Sequence, residues 1–232
     1  MYAFFHDHSL VILLTAASVV NFCWLYQTRD RLHMKLYAVL PFTVLHVLYG
    51  VLTVRLFAAL EGVPGGMSLF GAVFLMPAAY YAGAKLFKRP PAEVFDIFTI
   101  CLVATLFFAR INCLVSGCCL GRQIFHQSEV RWPTRETELL FYIVFLLLLA
   151  PRVRRGRTNG TIYPIYMAAY GLFRMIIECF RESTATSSIF HLSHVWAVIT
   201  FCLGMSILME MKKRTATGSH SKGKWANKRK AK

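Results

Sequence analysis

Seven long apolar runs, with the charged residues confined between them, govern what this chain can fold into. They lie near 9–27, 36–60, 69–87, 94–115, 137–150, 161–180 and 192–210. A bilayer core about 30 Å thick is crossed by roughly 20 apolar helical residues, and each run meets or approaches that length. The fifth is short by count, although Phe141 to Ala150 is apolar without a break. With 232 residues, 56% of them hydrophobic, a soluble domain could also bury a large core. The blocks of apolar sequence, not the total, exclude that reading. Few segments alternate as strands do, which argues against a barrel, and no internal repeat is visible. The fold expected is all-α, a polytopic transmembrane bundle of about seven helices.

Basic residues orient it. With the N-terminus outside, the cytoplasmic segments hold Arg29, Arg31, Lys35, Lys85, Lys88, Arg89, Arg152, Arg154, Arg155, Arg157 and the basic tail. The outer segments hold Arg122, Arg131, Arg135 and Arg181. That asymmetry follows the positive-inside rule and puts the C-terminus in the cytoplasm. No basic stretch precedes the first apolar run, so no cleaved signal peptide is expected. Much of the net charge of +15 sits past Lys212. The chain therefore divides into a membrane domain, 1–211, and a basic tail, 212–232, expected to be disordered and to lie against anionic headgroups. The charge does not imply a nucleic-acid partner.

A charged side chain deep in a helix costs about 2.5–3.5 kcal/mol on insertion scales, and three arginines bear that cost. Arg55, Arg110 and Arg174 lie about five or six residues from the outer ends of helices two, four and six, roughly 8–9 Å in. They can gather at one depth or snorkel separately to the headgroups. Tyr170, Arg174, Glu178 and Arg181 recur at spacings that put them on one stripe of helix six. Such a stripe faces the bundle interior or a water-filled cavity. Glu178 can fix the Arg174 guanidinium so that a phosphate meets a fork of donors; a structural ion pair between helices is the alternative.

Helix four carries Asp96 near one end and Arg110 near the other. It leads into Ser116-Gly117-Cys118-Cys119-Leu120-Gly121-Arg122, where two glycines around two cysteines suggest a tight backbone. A second Gly-rich loop, 62–68, lies on the same side. Cys118 and Cys119 have either a thiol role or a loop-shaping one; as neighbours they pair poorly with each other. Cys23, Cys101, Cys113, Cys179 and Cys202 read as small apolar fillers or helix-end residues. His126, His191 and His194 are scattered, so neither a metal nor another cofactor is expected.

These residues resemble a known family. Tyr170 to Arg181 is similar to the last-but-one helix of the prolipoprotein diacylglyceryl transferases. Ala109 to Arg122, with Arg110, Gly117, Gly121 and Arg122, resembles that family's signature loop, and Asp96 stands at the family's distance before the signature arginine. Val63 to Gly71 resembles its Gly-rich outer loop, and Arg131 to Glu138 the opening of its fifth helix. The resemblance covers most of 40–205. It implies transfer of a diacylglyceryl group from phosphatidylglycerol, or another anionic phospholipid, to the thiol of a lipobox cysteine in a secreted preprotein. Glycerol phosphate leaves, at the outer face of the bacterial cytoplasmic membrane.

There are departures. The family's loop histidine, a candidate base, is Phe70 here. Its Asn and Glu in the signature loop are Cys113 and Cys118, and its Tyr and Gln at the fifth-helix opening are Thr137 and Arg135. Its first-helix Arg-Tyr element is missing from Met1 to Leu14. The reaction needs a thiolate and cations on the leaving phosphate. Arg110 and Arg174 are read as holding the phosphate, Glu178 as orienting Arg174, and Arg181 as guiding headgroup or peptide. Tyr170, Gly117, Gly121, Arg122 and Asp96 complete the substrate-binding set. A non-catalytic protein that binds or moves phospholipid on the same scaffold is the alternative that Phe70 favours. An ion transporter would favour charged pairs at the midplane and inverted repeats, and the sequence has neither.

The orientation is testable. A reporter cysteine within 183–188 is expected to react with a membrane-impermeant reagent added outside, and one at Ser221 only when the reagent is added from the cytoplasmic side. Labelling of the tail from outside overturns the orientation and moves the arginines to the other leaflet.

Overall fold

With no water in a bilayer core, backbone polar groups must pair within their own segment, and a single apolar run can satisfy them only as a helix. The computed structural model describes residues 2–62, 66–124, 130–156, 158–181 and 192–230, with side chains described from 8 to 214 within those ranges. Seven helices occupy them: α1 (Tyr2–Leu32), α2 (Leu36–Leu60), α3 (Leu69–Phe87), α4 (Pro91–Val115), α5 (Thr134–Arg154), α6 (Ile162–Glu178) and α7 (Leu192–Lys230). Five of them are long and apolar enough to cross a membrane: α1 from His8, α2, α3, α4, and α7 as far as Arg214. α6 has 17 residues and includes Arg174 and Glu178. α5 opens with Arg135, Glu136 and Glu138 and closes with Arg152 and Arg154. α7 runs as one helix through 212–230, where the sequence leads to the expectation of a disordered tail; side chains past Arg214 lie outside the described residues.

The outside of the bundle is apolar. On α2, Leu40, Val44, Leu48, Leu52, Leu56 and Leu60 recur every four residues, and all are exposed. A soluble monomer does not present an apolar stripe of that length to water, and on a multi-pass membrane protein it faces lipid. Arg55 is exposed on the same helix. It does not join the buried arginines, and its long stem lets the guanidinium reach the headgroups.

α4 is the most buried of the five spans and packs against α1, α3, α5 and α6. Pro90 and Pro91 start it, since proline lacks the N–H that a first turn leaves unpaired. Three hydrogen bonds tie it to α1 along its length: Trp24 Nε1 to the Ile97 carbonyl (3.0 Å), Asn21 Nδ2 to Thr105 Oγ1 (2.8 Å), and Ser9 Oγ to Asn112 Oδ1 (2.8 Å). Polar groups of this kind join helices where lipid gives no hydrophobic drive. α6 and α7 cross where Gly171 and Gly204 each face backbone of the other helix, leaving no room for a Cβ.

The end of the bundle that carries the basic loops is pinned by charge. Glu93 accepts from Arg31 (3.0 Å) and Arg89 (2.9 Å), joining α1 to α4. Beside them, Asp96 accepts from the Gly160 and Ile162 N–H groups at 2.7 and 2.9 Å. It thereby caps α6, whose first amides have no partner within the helix.

Candidate functional site

At the opposite end, helices α4, α5 and α6 each bring one buried charge to a common point. Arg110 lies in the last turns of α4, Glu138 in the second turn of α5 and Arg174 near the end of α6, and each is at most 7% exposed. Glu138 stands between the arginines, with Oε2 against Arg110 Nε and Oε1 2.7 Å from an Arg174 terminal nitrogen. The other terminal nitrogen of Arg174 is 2.9 Å from Glu178, which also meets Arg181 at 3.5 Å. The result is an alternating row, Arg110–Glu138–Arg174–Glu178–Arg181. Among the described residues three guanidiniums face two carboxylates and leave one positive charge, at the part-exposed Arg181 end; the inner members lie where charge is screened far less than in water.

Next to the row are hydroxyls without partners. Tyr142 follows Glu138 by one turn of α5; Tyr166 and Tyr170 precede Arg174 by two turns and one. Each is about 1% exposed or less, and among the described residues none of the three hydroxyl oxygens has a hydrogen-bond partner. Buried polar atoms are seldom left that way. Each guanidinium has five N–H donors in a fixed fork, so the carboxylates do not exhaust them. A row that is buried along most of its length and net-positive through Arg181 at its rim, with spare N–H and O–H donors, can hold a singly charged phosphodiester.

The sequence candidates fall into three groups. Arg110, Arg174, Glu178, Arg181 and Tyr170 are brought together as expected. Gly117, Gly121, Arg122, Cys118 and Cys119 form the loop leaving α4 beside them. Gly121 is pressed against the Trp132 carbonyl, where a side chain would not fit. The Arg122 N–H donates to the Phe180 carbonyl (2.8 Å) and its carbonyl accepts from Trp132 (3.0 Å), while its side chain is exposed. Asp96 is the exception. It lies fourteen residues down α4 from Arg110, about 21 Å at 1.5 Å per residue, and works there as the cap of α6. Phe70 is buried with its ring 5.9 Å from that of Tyr170, so an aromatic group without exchangeable protons borders the row.

Sequence reasoning missed Glu138 and Tyr142. The available signal was an acid one turn inside α5, at the same depth as Arg110, with a tyrosine four residues on. It also missed Cys113. The turn at Gly117 (φ 70°) and Cys119 (φ 58°) reverses the chain, so the thiols of Cys113, Cys118 and Cys119 all lie within 4.8 Å of one another. A hydrogen bond with Cys113 holds the Cys119 thiol below its ordinary pKa, helped by Arg110 and Arg181. Of the scattered histidines, His126 and His191 lie outside the described residues.

Glu138 is the member whose loss is most costly. Removing one partner of a buried pair costs about 3–5 kcal/mol, because a charge is left uncompensated. Glu138→Ala is expected to lower unfolding stability in mixed detergent micelles by that order, and Glu136→Ala to change it little. Equal stability of the two variants contradicts the buried row.

The profile of the prolipoprotein diacylglyceryl transferases matches residues 12–210. The phosphatidylglycerol–prolipoprotein diacylglyceryl transferase of Idiomarina loihiensis is 28% identical over 172 residues, covering 66% of this chain and 63% of that protein. The enzyme of the same name from Desulfotalea psychrophila is 31% identical over 134 residues, covering 51% and 49%. That from Clostridium tetani is 21% identical over 162 residues, covering 64% and 65%. The chain thus spans between about half and two-thirds of the length of these relatives. With a profile match over nearly all of its helices, the chain belongs to the prolipoprotein diacylglyceryl transferase family.

Proposed function

We propose that this protein transfers a diacylglyceryl group from phosphatidylglycerol to the cysteine thiol of a secreted lipobox preprotein. The observation that carries this reading is the buried row from Arg110 to Arg181. Its one surplus positive charge balances the single negative charge of a phosphodiester, and three tyrosine hydroxyls without partners among the described residues supply further donors. Arg110 and Arg174 hold the phosphate from two helices. Glu138 and Glu178 fix their planes, and Arg181, which is part-exposed, meets the headgroup or peptide at the rim. As the glycerol C–O bond breaks, charge builds on the phosphate oxygens. Donors already aimed at that point stabilise it without having to reorganise.

The charge pattern supports seven crossings with the N-terminus outside, the row in the outer leaflet of a bacterial cytoplasmic membrane, and 212–232 as a separate basic tail. A preprotein emerging outside would then meet the lipid there. A second reading, a lipid-binding or lipid-moving protein without catalysis, is favoured by Phe70, whose ring offers no base beside Tyr170.

Arg174→Lys discriminates between them. Lysine keeps the charge but cannot span Glu138 and Glu178 while offering a planar fork to phosphate. Loss of one charge-assisted hydrogen bond of about 1.5–3 kcal/mol slows turnover by roughly 10- to 150-fold, at 1.36 kcal/mol per tenfold. The measurement is transfer from labelled phosphatidylglycerol to a lipobox peptide by parent, Arg174→Lys and Arg110→Lys at matched protein levels. Parent activity with slow variants is expected. No transfer by the folded parent, with lipid still bound, supports the non-catalytic reading. Variants as fast as the parent show the arginines to be structural.

A further inference from the structure

We propose that Cys113, Cys118 and Cys119 form a binding site for a thiolate-preferring divalent ion of the zinc class, with its fourth position open to the acceptor thiol. The second half of the proposal rests on the transferase reading; the first does not.

The geometry is that of a tripod. Three sulfur atoms within 4.8 Å of one another have a common point no more than about 2.8 Å from each, and Zn–S bonds are about 2.3 Å. A shift of about half an ångström per sulfur closes the site, less than a change of rotamer. Cys113 is fixed on the last turn of α4. Cys118 and Cys119 are carried back to it by the left-handed residues Gly117 and Cys119. A non-glycine residue in that region is strained, and such strain gathers at functional sites.

Neighbouring groups support the tripod. The Ser116 hydroxyl, which donates to the Asn112 carbonyl at 2.7 Å, lies 3.5 Å from Cys118 Sγ, and the Thr134 hydroxyl donates to the Cys119 carbonyl at 3.3 Å. The latter bond ties the loop to the start of α5, one turn before Glu138. Outer hydrogen bonds of this kind orient metal ligands. A cation also faces the thiols: an Arg110 terminal nitrogen lies 3.9 Å from Cys113 Sγ. Packing does not explain the group, because Cys118 is exposed.

Three protein ligands leave zinc one open position, the pattern of reactive rather than structural sites. A thiol bound there is deprotonated outright, and its proton goes to bulk water. Its sulfur then attacks the glycerol carbon; the C–S bond forms as the C–O bond breaks, and glycerol phosphate departs with the electron pair toward Arg110 and Arg174. The metal-bound thiol makes a base at Phe70 unnecessary.

The test uses full-length protein, reduced and purified without chelator. Zinc content is measured by mass spectrometry, and cobalt(II) is added as a spectroscopic probe. About one zinc per chain is expected, with intense sulfur-to-cobalt bands in the near ultraviolet. Cys118→Ser, at an exposed position, should lose those bands while keeping the parent's helical circular dichroism, and a lipobox peptide with a free thiol should shift the parent's bands. No metal uptake by fully reduced protein, bands unchanged in Cys118→Ser, or a disulfide between Cys113 and either loop cysteine in protein isolated without reductant overturns the site. Bands that ignore the thiol peptide overturn the acceptor role. The transfer assay is read separately, so active protein without metal sinks this inference and leaves the transferase reading standing.

Discussion

One carboxylate between two buried guanidiniums sets the arrangement of this bundle. Arg110 and Arg174 come from helices that alone would carry an intolerable charge into an apolar environment. Glu138 on α5 is what allows both to stay there. α5 and α6 are not among the five helices long and apolar enough to cross a membrane: α6 has 17 residues, and α5, with 21, carries charges at both ends. Their charged turns, at Glu138 and Arg174, come together beside the buried Arg110 of α4. The polar residues that weaken them as membrane helices also fix how they dock on α4. A buried ion pair is weak evidence for stability, since desolvation offsets much of the attraction. Here it dictates position: three helices must converge at one depth and one rotation for five charges to alternate.

The two ends of α4 divide the work. At the basic end, Glu93 and Asp96 hold α1 and the start of α6. At the other, Arg110 reaches the charged row and the chain turns back through the three cysteines. α6 is thus anchored at its start by α4, through the Asp96 cap, and near its end by Glu138 of α5, through Arg174. Its middle is held by the Gly171 and Gly204 crossing with α7. Side chains fixed on helices, and not on loops, keep the guanidinium planes aimed, as a preorganised phosphate site requires.

Much of this was legible in the sequence. The apolar runs marked all seven helices, and the boundaries of α2 and α3 coincide with the runs, because apolar count and helix agree where a helix faces lipid. α5 was under-read, as 137–150 against Thr134–Arg154, because its first turn is polar and its last turn carries Pro151, Arg152 and Arg154. The stripe Tyr170, Arg174 and Glu178 was readable because it lies within one helix at local spacing; Arg181 stands three residues past the end of that helix. Glu138 was not, because its partners are 28 and 36 residues away and only tertiary placement joins them. Asp96 was placed at the right end of helix four; it entered the substrate-binding set through the family motif alone, and fourteen helical residues separate it from Arg110. The cysteine tripod depends on two left-handed residues that reverse the chain, which a pattern of ligand spacing does not encode.

The most direct test is to locate the lipid phosphate. Electron cryo-microscopy of the protein in nanodiscs of phosphatidylglycerol, at a resolution that separates the headgroup, reads it without assuming turnover. A phosphate oxygen within about 3 Å of the Arg110 or Arg174 guanidinium, with a tyrosine hydroxyl of 142, 166 or 170 turned toward it, is the predicted result. An unbroken Arg110–Glu138–Arg174–Glu178 row with every ordered phosphate outside the bundle would contradict it, leaving the row as a brace between helices.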